Sequence, residues 1–151
     1  MESKKYPKDF HRVIGIDPDV DESGVALIEG ETSAIAVMHF WDLYEFLKGY
    51  KKSQLVYIEA GWLNKGNWHL HRKMSLSVAA EVGRRTGLNH AVGQMIESMC
   101  VYLKVPYKLI RPSKSKIGPN VFKKLTGFSV RKKDQEKIDA MMLIHGLTTK
   151  K

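Results

Sequence analysis

The chain has 151 residues, 43% hydrophobic and 27% charged, the balance of one globular domain rather than a disordered chain, and no apolar run approaches a membrane span. The 25 Lys and Arg outweigh the 16 Asp and Glu, and the excess is local: residues 1–100 carry 12 basic and 13 acidic side chains, residues 101–151 carry 13 and 3. Such asymmetry points to a polyanion partner, nucleic acid first, against the plainer reading of a soluble lysine-rich surface.

In chain order, residues 12–17 (RVIGID) predict a short apolar strand, and 24–29 (GVALIE) its hairpin partner. Residues 33–39 (SAIAVMH) predict a third strand, so the chain opens as an antiparallel meander. Residues 41–50 carry Trp41, Tyr44, Phe46 and Leu47 near helical spacing, with Gly49 close to the stop. The run QLVYIEA, 54–60, is almost continuously apolar, as in a parallel strand buried on both faces. Residues 61–73 read as a loop bearing Trp62, Trp68, His69 and His71. A long helix is expected from about Ser75 to Leu103, its stripe being Leu88, Ala91, Val92, Met95, Ile96, Met99 and Leu103. Gly83, Gly87 and Gly93 weaken it locally or allow close approach. VPYKLI, 105–110, is the fifth strand, RPSKSKIGPN a basic loop and VFKKL a short helical piece. The last helix is expected from near Lys133 to about Leu147, with Ile138, Met141, Met142 and His145 on its buried side. The order β-β-β-α-β-α-β-α predicts an α/β mixed sheet flanked by helices. One domain is expected over 1–151, with 1–10 and 149–151 as flexible ends. The opening MESKKYPKDF lacks the apolar core of a secretion signal, and the lone Cys100 reads as a small core residue, so a reducing cytoplasm is expected.

Four acids stand out by context. Asp17 ends the first strand and Glu59 ends the fourth. Glu136 and Asp139, three apart, share a face of the last helix. If the first and fourth strands are neighbours, these acids converge at one sheet edge, where mutual repulsion calls for a cation. An all-oxygen cluster suits Mg²⁺ or Mn²⁺ rather than zinc. Two such ions about 3.5–4 Å apart can activate a water and stabilise the leaving oxygen of a phosphodiester. Singly each acid has a bland reading: a turn former, a helix cap or a solvated salt-bridging face. Their co-occurrence in this strand order carries the argument. His69 and His71 lack partners at ligand spacing for zinc, and there is no phosphate-binding G-x-x-x-x-G-K-[ST] loop.

The segments GIDPDVDESGVA, YIEAGW and EKIDAMMLIHG resemble those of RuvC-type Holliday junction resolvases in the RNase H-like nuclease superfamily, over about residues 12–147. DQEKIDAMMLIHG, with TGF before it, is more similar to phage and prophage members than to housekeeping ones. The resemblance implies an RNase H-like five-stranded sheet, three strands antiparallel and then two parallel. It also implies a homodimeric crossover junction endodeoxyribonuclease that cuts opposed strands of a four-way junction and leaves 5′-phosphates. Carried over residue by residue, Asp17, Glu59, Glu136 and Asp139 fall on metal-binding acids, about two ions per site. Trp62 falls near an aromatic used at the crossover, and Lys114 on a basic position near the scissile phosphate. Two departures leave alternatives open: Asp19 stands where the family often has Gly, and Asp134 competes with Glu136. Trp62 and Trp68 are candidates for base stacking, or for burial under their loop. Arg84, Arg85, Lys114, Lys116, Lys123 and Lys124 are candidate phosphate contacts. The competing functions are another RNase H-like nuclease acting on RNA–DNA hybrids or branched DNA, and a catalytically inactive junction-binding module. An actin-like kinase fragment also opens with G-I-D, but it needs a Gly-Thr turn and a second domain.

Overall fold

The computed structural model describes residues 7–50, 53–66 and 73–150. Its one sheet runs in the order β3-β2-β1-β4-β5. The strands are β1 (Arg12–Asp17), β2 (Ser23–Glu29), β3 (Thr32–Met38), β4 (Gln54–Glu59) and β5 (Tyr107–Ile110). β1–β2 and β2–β3 pair antiparallel, while β1–β4 and β4–β5 pair parallel. The helices are α1 (Phe40–Lys48), α2 (Leu76–Leu103), α3 (Pro119–Thr126) and α4 (Gln135–Met142). The mixed sheet of three antiparallel and two parallel strands is therefore as expected.

Pleating sorts the strand residues between two cores. Ile14, Ile16, Val56 and Ile58 pack with Leu43 and Leu47 of α1 and Ile96, Cys100 and Leu103 of α2. Val13, Ala26, Leu55 and Tyr57 pack on the other face with Phe122 of α3 and Ile138, Ala140 and Met141 of α4. Ile14, Ile16, Leu55 and Ile58 are wholly buried, each contributing roughly 1.5–3 kcal/mol of transfer free energy. Cys100 is a core residue, and burial pushes its thiol up to about 12.

Glycine sets how closely α4 sits. A methyl on Gly15 would enter the backbone carbonyl of Ala140, and one on Gly24 the carbonyl of Glu136. With no side chain at either position, α4 lies directly on β1 and β2. On the other face, the Trp62 ring lies against Gly93 of α2 and near Pro18.

Several expectations are corrected. The buried line of α2 is Gly93, Ile96, Met99, Cys100 and Leu103, whereas Ala91 and Met95 are exposed. Ile96, Met99 and Leu103 of the expected stripe are buried, whereas Ala91 and Met95 lie to one side of the line that faces the sheet. Leu76, Val101 and Tyr102 are also exposed. α4 ends at Met142, and Ile144 rather than His145 is buried in the turns that follow. The described residues of the two ends make contacts with the rest of the chain. Phe10 is buried, Lys150 N donates to Phe10 O at 2.7 Å, and Gly30 N donates to Thr149 Oγ1 at 2.9 Å. Trp68, His69 and His71 lie outside the described residues. Among the described residues no helix is long and apolar enough to cross a membrane.

Candidate active site

Parallel register pairs Ile16 with Ile58, so the next residues, Asp17 and Glu59, leave adjacent strand ends side by side. Two-residue periodicity puts Asp17 on the face of Val13 and Gly15, and Glu59 on the face of Leu55 and Tyr57. That is the face α4 covers. Gly24 pairs with Asp17 and lies under the Glu136 carbonyl, so α4 meets the sheet beside Asp17. One turn further along α4, Asp139 is buried, with 9% exposure. Asp17, Glu59, Glu136 and Asp139 thus line one cleft of about 300 Å³, with Trp62 and Lys116 in its wall.

Lys116 Nζ lies 2.5 Å from Asp139 Oδ2 and 3.7 Å from Glu59 Oε1. Gln135 Nε2 donates to Asp139 Oδ1 at 2.9 Å and to Ile117 O at 3.2 Å. Burial, then repulsion from Glu59 and Asp139, holds the Asp17 carboxyl well above its ordinary range, with Lys116 opposing. Burial also raises Glu59; Lys116 opposes this and Asp139 adds to it. Among the described residues, no group of three or more His, Cys, Asp or Glu side chains is arranged to hold a metal ion as it stands. The donors nevertheless fit a hard divalent cation: five carboxylates, Asp17, Asp19, Glu59, Glu136 and Asp139, line the cleft against one ammonium, with His90 as a further lining residue.

The two competing acids do other work. Asp134 is held by Arg131, which donates from Nε at 3.0 Å and from its backbone N at 3.2 Å. Asp134 lies outside the residues that line the cleft. Asp19 lines it but is tied to α2: Arg85 Nη2 donates to Asp19 Oδ1 at 3.2 Å and to Asp21 Oδ2 at 2.8 Å. Asn89 Nδ2 donates to Asp19 Oδ2 at 3.2 Å, and Asn89 Oδ1 accepts from Val20 N at 2.8 Å. The four acids from the end of β1 to the start of β2 therefore divide their work. Asp17 faces the cleft, Asp19 and Asp21 fasten the turn to α2, and Glu22 lies 3.2 Å from His39.

Arg85 thus serves the turn. Arg84 pairs with Glu81 at 2.7 Å on the exposed side of α2. Lys123 and Lys124 are exposed in the last turn of α3. Lys114 does not line the cleft, whereas Lys116, two residues on, enters it. Sequence reasoning missed the positioning roles of Asn89 and Gln135. The i,i+4 spacing of Gln135 and Asp139 was a usable signal for the second; nothing local marks the first.

No family model matches the chain, and no curated protein does. Among solved structures it is similar to Thermus thermophilus RuvC in complex with a Holliday junction substrate, at 14% identity and a TM-score of 0.50. The match covers 87% of this chain and 89% of that one. With its sheet of three antiparallel strands followed by two parallel ones and helices on both faces, the chain shares the RNase H-like fold of RuvC.

Proposed function

We propose that this protein is a divalent-metal-dependent endonuclease that resolves four-way DNA junctions, of the kind phages and prophages carry. The observation that carries the reading is the convergence of Asp17, Glu59, Glu136 and Asp139, distant in sequence, on one cleft. These four carboxylates would hold Mg²⁺ or Mn²⁺, about two ions. When bound, such ions supply an activated water and charge stabilisation at the leaving oxygen of a phosphodiester. The rest is positioning by the chain itself. β1 and β4 hold Asp17 and Glu59 rigidly, and α4 brings Asp139 against them. Gln135 orients Asp139 through its Oδ1. Trp62, backed by Gly93 and Pro18, offers a fixed ring at the cleft wall for a base unstacked at the branch point. Lys123 and Lys124, with the exposed Lys114, give the duplex arms a basic surface. Hydrolysis breaks the P–O3′ bond and leaves a 5′-phosphate that can be religated.

Two opposed cuts need two active sites, so the reading includes a homodimer. The exposed apolar side chains of α2, Leu76, Met95, Val101 and Tyr102, offer a surface for a second copy. Tyr102→Glu should then sediment as a monomer where the parent sediments as a dimer.

The test is a cleavage panel of four-way junction, linear duplex and RNA–DNA hybrid with Mg²⁺ or Mn²⁺. Paired junction cuts that vanish in Asp17→Asn and Glu59→Gln, with junction binding retained without metal, support the reading. Preferential hybrid cutting reassigns the substrate. Junction binding without metal-dependent cutting by the parent protein reduces it to a binding module.

A further inference from the structure

Among the described residues lining the cleft, Lys116 is the only Lys or Arg. It comes from the loop between β5 and α3, and the carboxylates it meets come from β4 and α4. Both oxygens of Asp139 are occupied: Oδ2 by Lys116 and Oδ1 by Gln135. Gln135 also grips the loop itself, through Ile117 O. For Asp139 to turn Oδ2 towards a metal, the ammonium must leave. Its surroundings permit that, because the Lys116 side chain is 45% exposed whereas those of Asp139 and Glu59 are 10% and 15% exposed. A flexible four-carbon stem can swing out while the carboxylates, fixed on helix and strand, stay in place.

We propose that Lys116 is a built-in counter-ion, seated among the carboxylates when no divalent cation is bound and displaced by that cation on binding. The proposal rests on the metal-dependent reading above and concerns regulation of the same site. Seated, the lysine holds together acids that would otherwise repel. Displaced, it stays at the cleft mouth beside the metal-binding acids, where a phosphate has to enter. Metal occupancy and the position of the Lys116 ammonium are thereby coupled. Each metal-binding event must displace the lysine, so apparent metal affinity is lowered by the fraction of molecules in which it is seated. A lysine seated about nine-tenths of the time weakens binding about tenfold.

The experiment is calorimetric titration of Mn²⁺ into the full chain, paired with thermal melts in chelator and in saturating Mn²⁺. The variants are Lys116→Met, Lys116→Gln and, as a charge control from α3, Lys124→Met. Both Lys116 variants should bind Mn²⁺ about tenfold more tightly than wild type. They should also melt lower than wild type in chelator and gain more from Mn²⁺. Lys124→Met should bind like wild type. Equal or weaker Mn²⁺ binding by the Lys116 variants, or equal tightening by Lys124→Met, overturns the proposal and leaves the nuclease reading standing. If neither wild type nor any variant binds Mn²⁺, the metal-dependent reading fails first and takes this proposal with it. The Gln variant keeps a hydrogen-bond donor for Asp139, so the comparison survives if Met disturbs the fold.

Discussion

The seating of α4 on bare strand backbone makes Gly15→Ala the sharpest test of how fold and site are joined. The added methyl would lie inside the carbonyl oxygen of Ala140, 3.2 Å from its carbonyl carbon and 3.3 Å from Ile144 Cγ2. Two of these neighbours are helix backbone, which cannot rotate aside, so α4 must withdraw. Carbon–oxygen contacts settle near 3.3–3.6 Å, which sets the withdrawal at about 1.2–1.5 Å. Overpacking of this kind costs about 1–3 kcal/mol. In a chain of this size that is a fall in melting temperature of about 2–12 °C. The helix carries Asp139 as it moves, and a misplacement of about 1 Å at a reacting centre costs on the order of 100-fold in rate. Thermal melts and single-turnover junction cleavage read the two effects separately. Gly24→Ala, under the Glu136 carbonyl, should behave alike. Gly49→Ala is the control: its φ of −65° suits alanine and the nearest atom is 3.9 Å away, so stability should rise by about 0.4–1 kcal/mol. A Gly15→Ala protein that melts and cuts like wild type refutes the close seating of α4.

The folded state raises the Asp17 and Glu59 pKa values, so it holds their protons more tightly than the unfolded chain does. Their contribution to stability is complete below the ordinary carboxylate range and is lost as pH rises through the raised values. Without metal, Asp17→Asn should therefore gain on wild type in melting temperature as pH climbs through that window; a gap independent of pH contradicts the burial of a charged Asp17. Asn89→Ala removes two hydrogen bonds holding the turn after Asp17 and should cost about 1–3 kcal/mol by denaturant titration, with slower cutting. Loss of stability with wild-type cutting would limit Asn89 to the fold. Removing both charges at Lys123 and Lys124 should flatten the slope of log affinity against log salt by about 1.8, and an unchanged slope takes them out of the DNA interface.

The elements of the sheet were legible because strand periodicity is local: RVIGID, GVALIE and QLVYIE show it within six residues each. The end of α4 and the burial of α2 were less so. The first depends on where the helix leaves the sheet and the second on which line of the helix faces it, and neither is recorded in the helix's own sequence. Of the site, the four acids could be read as strand-end and helix-face positions, and the structure brings all four to one cleft. Of the two competing acids, Asp134 lies outside the cleft, held by Arg131, whereas Asp19 lines it, held by Arg85 and Asn89.

What the sequence alone determined is the succession of strands along the chain, the strand-end positions of Asp17 and Glu59, and the concentration of positive charge after residue 100. These follow from backbone geometry and composition, which neighbours in sequence dictate. Only the tertiary structure decided that Lys116 rather than Lys114 meets the carboxylates, that Arg85 binds the turn, and that two glycines let α4 reach the sheet. Lysine and arginine side chains reach several ångströms across the surface, and helix contacts join distant segments. Their partners are therefore set by proximity in space, which no spacing along the chain encodes.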